Sequence, residues 1–489
     1  MTRKVVLFFP ETHRYRAEDI WCLPPFALLA IAAPLVRDGW DVRIIDSRVD
    51  PQALEHVLAA AGDAVCVGVT ALTGNQIREG LLVSEAMKKR HPQVPVVWGG
   101  YHATLLPEQT ILDPAVDVVV RGQGEQAFQR LVEALREGAS LRGIPGVIFK
   151  EQGRVVFNDE ALFTDVNQFP PLPFGLVDLK RHLPDLGFAR RTLAYVSSQG
   201  CPHDCEFCAE STAYKVRWSG LKAPRVGEDL QRLLAAQNAD GVIFVDNNFF
   251  VNEARVQAIC QEILDRGLRI SWAAQGRADR IAKLSGETFR LLRESGFKVF
   301  HVGAESGSDE VLEMVSKGVD RQTTLDCALA VKRAGLHISF GFIFGFPGET
   351  EADREDNFSL MEAVTDIQGS FDCIVHFYAP APGTPLVAAA VAHGAAEPAT
   401  LREWIPWNTV RGVTPWIDAA YLDRVKQRVD CYYPSARPNW MLRRRVARSK
   451  LARVLFALQH GLSAARYRFR YFGLPVEWWL LKRLRRHLA

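Results

Sequence analysis

A chain of 489 residues is too long for one ordinary domain and long enough to bury large cores. With 48% hydrophobic and 24% charged residues it has a globular composition, which excludes long disorder, and no run of about 20 apolar residues marks a spanning helix. The formal net charge of +3 hides an asymmetry: residues 443–489 hold 13 Lys/Arg and one acid, Glu477, so this stretch carries +12 and the rest of the chain −9.

The N-terminal Met1-Thr-Arg-Lys runs straight into a strand-like Val5–Phe9 with no cleavable signal pattern, and a cytoplasmic location is expected. Cys22, Cys66, Cys260, Cys327, Cys373 and Cys431 are scattered singly through apolar segments, as reduced core cysteines are. Residues 4–9, 41–46, 64–70, 94–100 and 116–122 are short runs rich in Val and Ile. Helix-length segments such as 25–37, 75–90 and 125–136 separate them, which predicts an open, parallel, doubly wound α/β sheet over residues 1–142.

Such sheets bind ligands beyond the carboxyl ends of their strands. Three of those ends read Thr70-Ala71-Leu72-Thr73-Gly74, Gly99-Gly100-Tyr101-His102-Ala103-Thr104 and Arg121-Gly122-Gln123-Gly124-Glu125. Glycines and small hydroxyl residues there let backbone approach a large flat ligand and hydrogen-bond its rim, although simple turns also favour glycine. Gly143-Ile-Pro-Gly146 and Phe169-Pro-Pro-Leu-Pro-Phe174 punctuate residues 143–190, which reads as a linker.

From residue 191 the strand–helix rhythm resumes, with strands expected at 193–197, 242–245, 270–272, 299–302, 338–343 and 374–377. Six units, short of the eight of a full barrel, predict a partial (β/α)6 barrel over 191–395. After its first strand comes Cys201-Pro-His-Asp-Cys205-Glu-Phe-Cys208. Three thiols at this spacing can reach one compact inorganic centre, yet supply one ligand fewer than a closed four-ligand site needs. That leaves one metal position open; a zinc site completed by His203 is the alternative reading.

The C-x3-C-x2-C phrase, with aromatic Phe207 before its last cysteine, resembles the signature of radical S-adenosylmethionine (SAM) enzymes. Leu23-Pro-Pro25 and the three glycine-bearing strand ends resemble the cobalamin-binding domain fused to many of them, and the likeness to cobalamin-dependent radical SAM enzymes covers roughly residues 1–390. The resemblance implies a [4Fe–4S] cluster on Cys201, Cys205 and Cys208, with SAM on the fourth iron. It implies SAM contacts at Phe207, Arg277, Glu305, Ser306 and Gly345. Cobalamin contacts are implied at Thr70, Leu72, Thr73, Gly74, Gly99, Gly100, His102, Gly122, Gly124 and Glu125. Where methionine-synthase-type domains present a cobalt-ligating histidine, this chain has Asp46-Ser-Arg-Val-Asp50, so cobalamin without a protein histidine below the metal is expected. Arg48 is expected as a solvated loop charge, and Arg277 has Asp279 as a structural partner within reach.

Residues 396–489 are expected to be mainly helical and to recognise the substrate. Trp404, Trp407, Trp416, Tyr432, Tyr433 and Trp440 suit an apolar pocket or a core. Arginines beside leucines and Trp478-Trp479 in 443–489 suit either peripheral contact with an anionic membrane or helices packed on the barrel with arginines in solvent. No small β-barrel RNA module follows the core, which speaks against nucleic acid.

The function implied by the resemblance is methylation of an unactivated carbon in a small hydrophobic metabolite, such as a lipid or tetrapyrrole. A 5′-deoxyadenosyl radical and methylcobalamin would carry it, with electrons from a flavodoxin- or ferredoxin-like donor. A cyclase or rearrangement enzyme on the same cofactors is the second reading, and a cobalamin-binding sensor or accessory protein the third.

Overall fold

The computed structural model describes residues 3–11, 23–407, 415–438, 450–474 and 476–479. Cys22, Trp440 and residues 443–449 and 480–489 of the basic tail lie outside the described residues.

The first sheet contains β1 (Lys4–Phe9), β2 (Asp41–Asp46), β3 (Cys66–Thr70), β4 (Val96–Gly99), β5 (Val118–Val120), β6 (Val147–Glu151) and β7 (Arg154–Phe157). Their order is β2-β1-β3-β4-β5-β6-β7, and β1 to β5 pair in parallel. Strands such as Cys66-Val-Gly-Val-Thr70 are buried along their whole length, which is why they read as continuous apolar runs. Helices α1 (Phe26–Arg37), α2 (Ala53–Ala61), α3 (Asn75–Arg90), α4 (Tyr101–Leu105), α5 (Pro107–Leu112) and α6 (Gly124–Glu137) connect the strands. One core packs α1 and α6 against the sheet, and the other packs α2, α3, α4 and α5 against its opposite face.

The linker expected over 143–190 needs correction at its start. Residues 147–157 form a hairpin whose two strands, β6 and β7, join the sheet antiparallel to β5 and to each other. Gln152 and Gly153 make its turn with φ of 50° and 77°. The connecting passage therefore begins after Phe157.

The second sheet contains β8 (Thr192–Tyr195), β11 (Gly241–Phe244), β12 (Ser271–Gly276), β13 (Phe297–Glu305), β14 (His337–Phe344) and β15 (Asp372–Phe377), with the short pair β9 (Ser198–Gly200) and β10 (Trp218–Gly220) beside it. Its order, β15-β14-β13-β12-β11-β8, is parallel throughout, as a partial barrel requires. The helix-facing side is a continuous aromatic core around Phe244, Trp272 and Phe300. Ala194, Ile243, Ala273 and Val299 form a smaller cluster on the lumen side.

The C-terminal region is helical at Ala419–Gln427, Tyr433–Ala436 and Lys450–Phe469. Its first part returns to the N-terminal sheet: Trp404 is buried in the core of that domain and donates through Nε1 to Gln109 at 2.7 Å, while Arg402 pairs with Asp113. Tyr432 and Tyr433 are core residues of the second domain. Among the described residues no helix is long and apolar enough to cross a membrane.

Candidate active site between two parallel sheets

Strand order reverses between β2-β1 and β3, and the ends of β1, β3, β4 and β5 border a cavity of about 490 Å³. This is where an open α/β sheet is expected to hold a ligand. Helix α7 (Ala209–Tyr214), which follows the cysteine loop, closes the cavity from the second domain through Ala213 and Tyr214. Seven of the residues expected to meet cobalamin line it: Thr70, Leu72, Gly99, Gly100, Gly122, Gly124 and Glu125. A Cβ at Gly122 would meet nothing within 4 Å, so bare backbone borders open space there. A Cβ at Gly100, whose φ is 90°, would come within 2.7 Å of Thr70 Oγ1 and 2.9 Å of the Ala71 backbone. Apolar walls come from Phe9, Phe26, Ile31 and Phe128. Shape, backbone and apolar surface suit a large flat ligand such as a corrin.

Three expected contacts lie elsewhere. His102 is fully buried behind the loop, where its Nδ1 meets Thr73 Oγ1 at 3.0 Å and its ring packs edge-on to Trp404. Burial pushes His102 down to about 4, so it is a neutral prop of the loop and not a contact to the cavity. Thr73 is its partner, and Gly74, with φ of 101°, starts α3. Gln76 lines the cavity instead, where it accepts from Leu72 N–H at 2.7 Å and donates to Pro10 C=O at 2.8 Å.

Arg48 is a second correction. It is not solvated: its guanidinium forks onto Asp46 at 2.9 and 2.6 Å, donates to Leu23 C=O at 2.7 Å and stacks over Phe9. Thus the loop without histidine places a neutralised arginine at the wall of the cavity.

The cysteine loop leads from β9 into α7, with Cys208 as its N-cap. Gly200, at φ 78°, must be glycine because a Cβ would lie 2.0 Å from Arg217 C=O. Ser211 Oγ donates to the carbonyls of Cys205 and Cys208. Backbone N–H groups of His203 point to the Cys201 sulfur, and those of Glu210 and Ser211 to that of Cys208. Arg277 Nη1 lies 3.6 Å from Cys205 Sγ. Burial pushes the Cys201 and Cys208 thiols up, and the donors aimed at the sulfurs work against it in favour of the thiolate. Three thiols on one loop supply three of the four ligands of an iron–sulfur cubane, and the described residues bring no fourth His, Cys, Asp or Glu into a group with them.

Three of the five residues expected at SAM, Phe207, Arg277 and Glu305, meet Lys317, a residue with no signal in the local sequence. Lys317 Nζ bonds Glu305 Oε1 at 2.8 Å and lies 5.8 Å from the centre of the Phe207 ring, while its carbonyl accepts from Arg277 Nη2 at 2.6 Å. Arg277 also pairs with Asp279 at 3.0 Å. Phe346, next to Gly345, packs on Phe207 with ring centres 5.6 Å apart. The Gly345 turn is tied by its N–H to Glu349 and by its C=O to Trp416 Nε1. Ser306 is the exception: it has no exposed surface and its hydroxyl is spent on Asn357 at 3.1 Å, so it anchors the end of β13.

Other residues of the site could not be read from local sequence. Tyr101 O–H bonds the Glu210 carboxylate, joining the loop after β4 to α7. Gln199 Nε2 donates to Glu125 at 2.5 Å, and Gln199 Oε1 accepts from Gln123 Nε2 at 2.7 Å. Burial pushes both Glu125 and Glu210 above the usual carboxylate range. In the lumen, Gln275, His301 and Ser339 stand side by side in register on β12, β13 and β14, and burial pushes His301 down to about 4, leaving a neutral polar layer.

Residues 195–361 match the model of the Radical SAM superfamily, and residues 21–132 that of the B12 binding domain. An uncharacterized methyltransferase of Pyrococcus horikoshii is 31% identical over 395 residues, which cover 80% of this chain and 83% of that protein. The anaerobic magnesium-protoporphyrin IX monomethyl ester cyclase of Synechocystis sp. is 26% identical over 62% of this chain and 60% of its own length. For the hopanoid C-3 methylase of Methylococcus capsulatus the identity is 25% over 68% and 62%. These matches span about three fifths of those two proteins. Among solved structures, the radical SAM methyltransferase TsrM of Kitasatospora setae superimposes with a TM-score of 0.67 at 19% identity, covering 88% of this chain and 90% of that one. The chain belongs to the cobalamin-dependent radical SAM, methyltransferase-like enzymes, whose cofactors are a [4Fe–4S] cluster, SAM and cobalamin.

Proposed function

We propose that the enzyme methylates an unactivated carbon of a small hydrophobic metabolite. The observation that carries this reading is the contact between Tyr101 and Glu210, which fixes the cobalamin-type cavity directly against the helix leaving the cysteine loop. When bound, the cluster and SAM supply a carbon-centred radical and cobalamin the methyl group. The chain's own part is to orient and to exclude. Cys201, Cys205 and Cys208 would hold the cluster; Phe207, Arg277, Glu305 and the Gly345 turn would border SAM, with Lys317 keeping Glu305 in place. Thr70, Leu72 and the glycines after β4 and β5 would seat cobalamin. The neutral layer of Gln275, His301 and Ser339 offers hydrogen bonds to a substrate without placing a charge near a radical.

The test is anaerobic reconstitution with iron, sulfide, cobalamin and methyl-labelled SAM. Candidate lipids and tetrapyrroles are then followed by mass spectrometry. Labelled product heavier by one methylene unit supports methyl transfer. Substrate consumed without that gain supports ring closure instead, the reading favoured by similarity to the cyclase.

A greasy substrate also fits peripheral docking of residues 443–489 on an anionic bilayer. On the helix Lys450–Phe469, Val454, Leu455, Leu458 and Leu462 are each 55 to 64% exposed, within a stretch that carries 13 basic residues and one acid. Flotation with phosphatidylglycerol vesicles should retain the protein, and Leu458→Asp with Leu462→Asp should release it. Equal retention of wild type and variant would refute the docking.

A further inference from the structure

Beside the large cavity lies a smaller one of about 100 Å³, which shares Thr104, Gly122 and Tyr214 as common wall. Its charged lining is mainly basic, with Arg121, Lys215 and Arg217 set against the single carboxylate of Glu160, beside the neutral Gln123 and Thr212. Lys215 bonds that carboxylate, and Arg121 Nη1 stands 3.7 Å from it. Lys215 foremost, then Arg121 and Arg217, hold the Glu160 carboxyl below its ordinary range. The Nε of Arg121 is buried without a partner among the described residues.

The backbone that presents this group is unusual. Lys215 and Val216 follow one another at φ of 52° and 59°, left-handed values that a β-branched residue adopts at a cost. The turn sits directly after α7, so the same helix that follows the cysteines carries the basic wall. Ion pairs with Glu160 are exposed and weak, since Lys215 and Glu160 are both more than half exposed, and Glu160 can give way to a better anion. Three cations against one anion leave positive potential at the mouth of a largely apolar cavity.

We propose that Arg121, Lys215 and Arg217 form an anion subsite that takes a phosphate or carboxylate carried by a ligand seated in the large cavity. The inference rests on that cavity being the cobalamin seat. Two ligands could bring the anion: cobalamin itself, through its nucleotide phosphodiester, or an acidic substrate.

The experiment titrates full-length wild type and a Lys215→Gln, Arg217→Gln double variant with hydroxocobalamin and with cobinamide, a corrinoid without the nucleotide phosphate. Cobalamin-loaded protein is then titrated with pyrophosphate. If the phosphodiester is the ligand, the variant binds hydroxocobalamin about tenfold more weakly and cobinamide as before, which is the loss of one charge-assisted contact. If the substrate brings the anion, both corrinoids bind unchanged, but wild type binds pyrophosphate and the variant does not. Arg217→Lys, which keeps the charge, should behave as wild type. Unchanged binding of all three probes overturns the proposal, and so does equal weakening of both corrinoids, which would mean a damaged cavity. Wild type that fails to bind hydroxocobalamin at all refutes the cavity assignment instead.

Discussion

The two parallel sheets meet the same demand, a ligand at the ends of their strands, by opposite means. In the first, the backbone is freed by glycine: Gly100 and Gly122 take positive φ and bring bare backbone to the cavity between its apolar walls. In the second, Glu305 takes φ of 62° while keeping its carboxylate, at a strain of about 1 kcal/mol or more. The difference suits the cofactors proposed for the two seats. A broad macrocycle needs room, so glycine backbone borders part of the cavity, and the charge of Arg48 at its wall is paired off by Asp46. A small polar cofactor needs charges, and Lys317, Arg277 and Glu305 hold one another in place around Phe207.

The largest effect should come from dividing the halves chemically. Replacing Cys201, Cys205 and Cys208 together by alanine is expected to abolish the visible absorption of the reconstituted cluster and all 5′-deoxyadenosine formation, while cobalamin binding persists. Loss of both would show that the first sheet's seat depends on the cluster loop.

Next is a pH effect confined to the second sheet. Burial, first of all, pushes Glu349 up to about 7 from 4.5, although Gly345 N–H stabilises its ionised form. A carboxyl raised on folding lends its full stability below pH 4.5 and loses it as pH rises to about 7, because the unfolded chain ionises first. The shift corresponds to about 3 kcal/mol. Glu349→Gln should therefore be more stable than wild type at pH 8 and lose its advantage near pH 4.5 in urea titrations. Parallel curves across that range would remove Glu349 from the account.

What the sequence revealed follows from the same contrast. Strands buried on both faces write themselves as runs of Val and Ile, and backbone constraints write themselves as glycine, so both sheets and most of the cavity's rim were legible. The hairpin of β6 and β7 was not, because Gly143, Pro145 and Gly146 before it dominate the local composition; its Gln152-Gly153 turn was the available signal. Arg48 and His102 were placed in the right loops but given the wrong surroundings, since side-chain direction depends on Asp46, Phe9 and Trp404. Lys317, Tyr101 and Glu210 escaped because charge clamps and domain contacts join residues far apart in the chain, 109 positions in the last case.

Within the first sheet, Gly100→Ala tests whether backbone freedom is the requirement. Its φ of 90° and the 2.7 Å approach of the added Cβ to Thr70 Oγ1 should cost about 2 kcal/mol in stability. Cobalamin affinity should fall with it, and SAM affinity should not. A variant that binds both cofactors as wild type does would mean that the strand end relaxes freely.

The smallest effect addresses whether the two seats act as one site. Tyr101→Phe removes the O–H that bonds Glu210 and leaves a carboxyl that is only 5% exposed. Burial already raises Glu210, so it can take up a proton, and Asn247 and the Gly200 N–H still bond it; the cost should be about 1 kcal/mol, below that of stranding a fixed charge. A double-mutant cycle with Glu210→Gln isolates the coupling between the residues. Coupling of about 1 kcal/mol in folding, together with a shift in the cobalamin spectrum on SAM addition that is lost in Tyr101→Phe, would establish this contact as the joint between the seats. No coupling, with the spectral shift intact, would mean that packing alone aligns them.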